Sequence, residues 1–217
     1  MWSLALTTTL ILTLSTATPL PFRKFIHHKH DDAALTEAQI IDIAPTSKTC
    51  DNPPAEGECA TAEQAAKFAS QSFDDYQVTS KAEQAAVISI MAFESGDFKY
   101  NKNHFPGTPG QGTRNMQSPA YNKKYADSIS ALKDQIPAVE NSPADLLDLL
   151  RDNETYDFGS GAWFLTTQCS KDVRTALQAG DENGWQRYIS ECVGTSVTDD
   201  RKAYWQRAVK TLGVTSS

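Results

Sequence analysis

The most chemically suggestive stretch of the sequence is VISIMAFESGDFKYNKNHFPGTPGQGTRNMQSP, which runs from Val87 to Pro119. It begins as an apolar helix, reaches a single glutamate at Glu94, and continues into a long loop rich in Gly, Asn and Pro. Apolar surroundings and the negative end of a helix dipole both disfavour the charged form of a carboxyl group. A carboxylic acid that stays protonated can donate its proton to a leaving group. Glu94 is therefore the candidate general acid of this chain.

The helix that carries Glu94 should lie in the centre of the domain. Residues three, four and seven positions apart share one face of a helix, so Glu94 shares its face with Met91, Ile90 and Val87. The segment Ala85–Phe93 is apolar nearly all round, which is typical of a buried helix. The alternative is that Glu94 simply points into water at a frayed helix end.

The same stretch resembles the lysozyme-like superfamily, especially goose-type lysozymes and soluble lytic transglycosylases. In that family a long core helix ends in Glu-Ser, and a later Gly-containing segment ends in Met-Gln. The chain reads MAFESG at Met91–Gly96 and GTRNMQSP at Gly112–Pro119. The resemblance implies that Glu94 is the catalytic acid and that Met116 and Gln117 line a sugar cleft. It covers residues 60–125 only.

The resemblance leaves the mechanism open, because one carboxylic acid does not define it. Inverting hydrolysis uses a second carboxylate roughly 6.5–9.5 Å away, and retaining hydrolysis uses one about 5–5.5 Å away. Asp97 is the nearest candidate in sequence, although it could instead cap the turn, and Asp127 could approach from the next helix. The loop residues Tyr100 and Asn103 could contact sugars or merely fill the loop. Without a second carboxylate, the substrate's own groups would have to assist.

Outside this stretch the chain carries helix signals almost throughout. Thr61 with Gln64, and Ser80 with Glu83, have the spacing of capping boxes. Gly180 is placed to end a helix. Further helix starts are predicted at Pro119, Ser142 and Ser170. Because alternating strand patterns are almost absent, we predict a mainly α, lysozyme-like helical domain with a long cleft-lining loop. Trp163, Trp185 and Trp205 should belong to its core rather than to a sugar platform.

Four cysteines predict two disulfides. An even number of cysteines in an exported chain favours disulfide bonds, and pairing of sequence neighbours is the simplest of three connectivities. These pairs are Cys50–Cys59 and Cys169–Cys192. No cysteine spacing resembles a zinc site. His27, His28 and His30 could form a metal-binding tract or a solvated segment. We expect no metal and no cofactor.

The N-terminal part of the chain differs from the rest in composition. Residues 1–17, MWSLALTTTLILTLSTA, lack charged side chains and end in small residues, and their apolar run is shorter than the about 20 residues that span a bilayer. We expect a secretory signal there and a secreted, extracellular protein. Residues 18–48 mix prolines with basic and acidic clusters and are expected to be a leader or propeptide-like segment. Residues 49–217 then form the domain, with an N-glycosylation sequon at Asn153.

Charge narrows the range of partners. The chain has 27 acidic and 20 basic residues and a net charge of −7, which argues against nucleic acid and against anionic surfaces. We expect a monomer that binds neither nucleic acid nor membrane. The resemblance implies a secreted glycoside hydrolase that cleaves a β-1,4-linked amino-sugar polymer, namely peptidoglycan, chitin or chitosan. The alternative is a non-catalytic secreted glycan-binding or interaction protein on the same scaffold.

Overall fold

A computed structural model of the protein describes residues 34–216. These residues form ten α-helices and no β-strand, apart from isolated bridges that join Gly112 to Lys102 and to Gln117. The predicted mainly helical fold is therefore confirmed. The predicted signal sequence, residues 18–33 and the three histidines His27, His28 and His30 lie outside the described residues. The helices are α1 Glu37–Ile43, α2 Ala62–Asp75, α3 Lys81–Glu94, α4 Pro119–Ser128, α5 Ile136–Val139, α6 Pro143–Arg151, α7 Glu154–Gln168, α8 Lys171–Gln178, α9 Glu182–Arg187 and α10 Asp199–Leu212.

Helix α3 lies at the centre of the core, as its composition predicts. All residues from Ala85 to Ala92 are buried, and the helix packs against α7, α8 and α10. Helix α7 approaches it closely at Gly161, where an added Cβ would lie 2.7 Å from the sulfur of Met91. A side chain at position 161 would therefore push the two helices apart.

Part of the segment predicted as a leader is built into this core. Helix α1 begins with a complete capping box at Thr36 and packs against α2 and α10. Ile40 and Ile43 are fully buried, and a short 3₁₀ helix over Pro45–Lys48 follows. The processing boundary at residue 48 stays a prediction, but a cut there would remove α1 from the domain.

A second apolar cluster holds the later helices together. It joins α4 and α6 to the outer face of α7 through Tyr125, Leu146, Leu150 and Trp163. Trp185 and Trp205 belong to the main core, where their rings stack with centroids 5.0 Å apart. All three tryptophans of the described chain thus serve packing, as the sequence indicated.

The structure contains the two predicted disulfide bonds. Cys50 is joined to Cys59 and Cys169 to Cys192, and the described chain contains no free cysteine. The first bond closes a turn-rich loop whose residues Gly57 and Cys59 reach the edge of a cleft described below. Within residues 34–216, no helix is both long and apolar enough for a bilayer crossing.

Candidate functional site

Glu94 is ion-paired rather than isolated in an apolar pocket. It is the last residue of α3, and its side chain is 24% exposed. Arg201 of α10 donates two hydrogen bonds to its Oε1, from Nη2 at 2.9 Å and from Nε at 3.2 Å. The same guanidinium lies over the ring of Phe93. The α10 helix thus provides a cation at the end of α3, which the sequence of α3 alone does not reveal.

The two candidate second carboxylates have structural partners of their own. Asp97 accepts hydrogen bonds from the backbone N–H and hydroxyl of Thr46 and, at its other oxygen, from the hydroxyl of Tyr204. Burial and this hydrogen bond raise the pKa of Tyr204 to about 12. Asp127 is exposed and pairs with Lys123 one helical turn earlier. Within residues 34–216, no hydrogen bond or ion pair joins Glu94 to either aspartate.

The predicted sugar-binding residues make hydrogen bonds and packing contacts within the loop that follows α3 and with the start of α4. Asn103 accepts hydrogen bonds from the N–H groups of Gly107 and Thr108, which closes the loop tip. Gln117 is buried and donates to Asn122 at 2.8 Å, and its Oε1 has no hydrogen-bond partner among the described residues.

The other two predicted contact residues also pack locally. Met116 lies at φ +47° and accepts at its carbonyl from Gln111. Tyr100 packs on His104, with ring centroids 5.2 Å apart. None of these side chains is joined to Glu94 by a hydrogen bond in the described chain.

A separate opening in the described chain lies at the N-terminus of α7. It is a cleft of about 750 Å³ between the Cys50–Cys59 loop, the loop after α3, and the junction of α6 with α7. This volume falls within the range of ligand-binding pockets. Its lining includes Phe68, Asn101, Arg114, Arg151, Glu154 and Asp157.

Asp157 is the most unusual group in the cleft. Its Oδ2 accepts hydrogen bonds from Arg114 Nε at 2.8 Å and from Asn101 Nδ2 at 3.2 Å. Its Oδ1 is buried and has no hydrogen-bond partner in the described chain. Burial raises the pKa of Asp157 to about 6, although the charge of Arg114 opposes the shift. A buried carboxylate oxygen without a partner is costly and is often found at a functional site.

Arg114 is held firmly by its surroundings. Its Nη1 donates to the carbonyl oxygens of Phe98 at 2.8 Å and Tyr100 at 3.1 Å. Its guanidinium also lies over the ring of Phe158, 5.2 Å from the centroid. Because its side chain is almost fully buried, this arginine cannot swing into solvent when Asp157 is protonated. It therefore fixes the position of the carboxylate.

Arg151 extends this network towards the cleft. From the end of α6 its Nε donates to Asp148 at 2.6 Å, and its Nη1 donates to Asn101 Oδ1 at 2.9 Å. Asn101 thereby bridges Arg151 to Asp157 through the two ends of its amide. No hydrogen bond within the described residues uses Nη2 of Arg151, so this group is available to a ligand.

A second buried carboxylate supports the cleft wall. Glu58, in the disulfide-closed loop, accepts hydrogen bonds from the N–H of Asn101 and from His104, with Lys102 at 3.5 Å. Burial opposes its ionisation, but these hydrogen bonds and positive charges hold the pKa of Glu58 below its ordinary value. The pair formed by Glu58 and His104 therefore anchors the loop after α3 to the first disulfide.

Sequence reasoning missed this cleft. Arg114 lay without an assigned role in the segment GTRNMQSP, and Asp157 lay in the run ETYDFGSGAWF, which is otherwise mostly apolar after its first turn. A charged residue on the buried face of an apolar helix was the available signal. In residues 34–216, no group of three His, Cys, Asp or Glu side chains is arranged to bind a metal ion.

The raised pKa of Asp157 predicts a specific pH dependence of stability. The folded chain binds this proton more tightly than the unfolded chain, so the free energy of unfolding should fall as pH rises from about 4 to about 6. The contribution of this one group is about 3 kcal/mol. In denaturant titrations, the free energy of unfolding of the parent should fall over this interval, whereas that of Asp157→Asn should lack this fall. The variant should therefore gain stability relative to the parent as pH rises. The exposed Asp152→Asn should follow the parent, and parallel curves for Asp157→Asn would contradict the shift.

Comparison with known proteins identifies a relative of a different kind. The chain is 50% identical over 157 residues to a bifunctional dioxygenase (DOX)-epoxy alcohol synthase (EAS) of Fusarium oxysporum (strain Fo5176). The match covers 70% of this chain but spans only 12% of that enzyme. No protein-family model matches the chain, and no solved structure matches it.

This relative overturns the lysozyme-like prediction. Neither activity in its name is glycoside hydrolysis, so the predictions of a glycosidase, of a lysozyme-like family and of a polysaccharide substrate are wrong. The short motifs around Glu94 and Gln117 suggested a lysozyme-like site because a motif does not show which side chains of distant helices contact its residues. Arg201 forms an ion pair with Glu94, and Met116 and Gln117 belong to a hydrogen-bonded loop. We therefore assign no role in carbohydrate cleavage or binding to the residues predicted for it, which are Glu94, Asp97, Asp127, Tyr100, Asn103, Met116 and Gln117.

Proposed function

We propose that this chain is a binding module for a small, uncharged oxygenated molecule of the epoxy alcohol type, and that the cleft at Asp157 is its site. The observation that carries the proposal is the Oδ1 of Asp157, a residue of the cleft lining, because this oxygen is buried and has no hydrogen-bond partner within residues 34–216. Similarity to a segment of a dioxygenase–epoxy alcohol synthase supports the choice of ligand class.

The hydrogen-bonding groups of the cleft match those of an epoxy alcohol. Such a molecule has one hydroxyl donor and two oxygen acceptors. Asp157 Oδ1 can accept from the hydroxyl, and Arg151 Nη2 can donate to the epoxide oxygen. Phe68 offers an apolar surface for the carbon chain. A ligand of this type would satisfy the unpaired Oδ1 of Asp157, which is the main expected source of affinity.

The charge balance of the cleft favours a neutral ligand over an anion. Four acidic side chains line it, Glu56, Asp152, Glu154 and Asp157, against two arginines. Arg114 is already engaged by Asp157 and two carbonyl oxygens, and Arg151 is paired with Asp148, so the donor left to a ligand is Nη2 of Arg151, which makes no hydrogen bond within the described residues. A carboxylate ligand would meet repulsion from the acidic rim that one arginine does not offset.

We also propose that the module is exported. The uncharged, apolar N-terminal seventeen residues and the two disulfides support this. In an extracellular setting the module would bind an oxygenated product that is released by an enzyme related to the Fusarium oxysporum protein. A mass measurement of the protein from culture medium, before and after removal of N-glycans, tests both export and modification at Asn153.

The ligand is tested by calorimetric titration of the intact protein. The probes are a short-chain aliphatic epoxy alcohol, the matching alkenol without the epoxide oxygen, and the matching epoxy acid. We expect the epoxy alcohol to bind at least tenfold more tightly than either analogue, because a lost hydrogen bond to a charged group costs about 1.5–3 kcal/mol. Arg151→Leu should abolish the preference for the epoxide, whereas the exposed control Arg187→Leu should retain it. If all three probes bind with equal affinity, or if none of them binds, the proposal is contradicted.

A further inference from the structure

A second cavity, of about 350 Å³, lies next to the first turn of α7. It is bounded by the end of α2, by the end of α4 with the turn that follows it, and by Thr155 and Tyr156 of α7. Neither the proposed ligand nor the network around Asp157 uses this cavity. Its volume is at the lower end of the range for ligand pockets, so it suits a compact molecule.

The side chains around this cavity have an unusual composition. Three tyrosines, Tyr76, Tyr125 and Tyr156, line it together with Asp75. The remaining lining residues are the uncharged Ser128, Ile129, Ser130, Ala131 and Thr155. No Lys, Arg or His is among the lining residues of the described chain, so Asp75 is the one charged group there. We define these residues as the tyrosine cavity.

Two phenol groups of the cavity have raised pKa values, and the ring of Tyr125 is held in place. Burial raises the pKa of Tyr76, with a further contribution from the charge of Asp75, and burial raises the pKa of Tyr125 well above its ordinary range. The Tyr125 hydroxyl donates to the carbonyl of Tyr156 at 3.0 Å, and its ring packs on Trp163. A rigid aromatic wall of this kind loses little conformational entropy when a ligand binds.

The absence of a side chain at Gly159 is required for this arrangement. A Cβ at position 159 would lie 2.4 Å from the hydroxyl oxygen of Tyr125 and 3.6 Å from the ring of Tyr76. Because no real Cβ approaches an oxygen so closely, any larger residue would displace Tyr125. Gly159 therefore lets helix α7 bring Tyr156 alongside the other two tyrosines.

We propose that the tyrosine cavity binds a small alkylammonium ion. The faces of neutral aromatic rings attract organic cations, and aromatic cages of this kind recognise quaternary ammonium groups. Asp75 at the exposed mouth adds a compensating negative charge. The net charge of −7 further raises the local concentration of cations around the protein. An anion would face Asp75 without any basic group to offset it.

The test compares choline with its carbon isostere, in which a neutral carbon replaces the ammonium nitrogen. Both have the same shape, so the comparison isolates the charge. In calorimetric titrations of the intact protein we expect choline to bind at least fivefold more tightly than the isostere. Equal affinity of the two probes, or no binding of choline at millimolar concentration, overturns the proposal.

Two variants locate the site. Asp75→Asn and Tyr156→Leu should each weaken choline binding about fivefold or more, whereas the neighbouring control Asp74→Asn should leave it unchanged, because Asp74 does not line the cavity. Unchanged melting temperatures will show that the variants fold. If Asp74→Asn and Asp75→Asn weaken binding equally, choline responds to the general negative charge of the surface, and the cavity is not its site.

Discussion

Replacing Arg114 by methionine is expected to lower the free energy of unfolding by about 3–5 kcal/mol at neutral pH. The substitution removes the partner of a buried carboxylate, while the methionine side chain retains most of the apolar contact with Phe158. It also removes the Arg114 donor from the carbonyl oxygens of Tyr100 and Phe98, of which the latter keeps the N–H of Ala60 as a donor. Denaturant titration of the parent and the variant at several pH values measures the effect.

The cause of this loss can be tested with a second substitution. If the unpaired charge is responsible, the penalty of Arg114→Met should shrink as pH falls from alkaline values towards about 6, because loss of Arg114 raises the pKa of Asp157 further and the variant takes up this proton at a higher pH than the parent. The double variant Arg114→Met, Asp157→Leu should recover much of the stability, because an apolar pair can replace a buried ion pair. The exposed Arg187→Met, which breaks a surface pair with Glu191, is the control and should show no measurable change. A penalty that is independent of pH would contradict the ion-pair explanation.

Removing the residues before Thr49 is expected to lower the free energy of unfolding by about 3–6 kcal/mol. The deletion exposes the core positions that Ile40 and Ile43 fill, and each fully buried isoleucine contributes about 1.5–3 kcal/mol. The deletion also removes the hydrogen bond from Arg207 to the carbonyl of Ile43 and the contacts of Thr46 with Asp97. Thermal unfolding of chains that begin at Ala34 and at Thr49 compares the two directly.

Point variants in the intact chain separate packing from other effects of the deletion. Ile40→Ala should cost about 2–5 kcal/mol, and the half-buried neighbour Ile41→Ala should cost clearly less. If the chain that begins at Thr49 is as stable as the longer one, α1 is dispensable. The prediction of a removable segment over residues 18–48 would then be supported.

Helix positions followed closely from local sequence signals. The capping box at Thr61 has both of its hydrogen bonds, and Ser142 and Ser170 cap α6 and α8 as predicted. Gly180 takes a left-handed φ of +76° directly after α8. These signals work because a cap is satisfied by atoms within four residues of it. The helix predicted to start at Pro119 does so and ends at Ser128.

One predicted helix cap, at Ser80, is not formed. Ser80 precedes α3 with Glu83 at the capping-box position, but the serine makes no side-chain cap hydrogen bond. Glu83 is buried and pairs with Arg174 of α8 instead, at 2.7 Å. A tertiary ion pair therefore replaced the local contact. Glu94 was misread for the same reason, because its partner Arg201 lies 107 positions later.

The sequence by itself determined the helical class of the chain, the burial of α3 and the helix caps at Thr61, Ser142 and Ser170. These properties depend on periodicity and on contacts between near neighbours along the chain. Only the tertiary structure decided which polar groups work together. Asn101, Arg114, Arg151 and Asp157 come from separate segments, and they meet because α7 packs beside the loop that follows α3. Their chemistry depends on burial and on partners distant in sequence, and neither can be inferred from the spacing of residues along one helix.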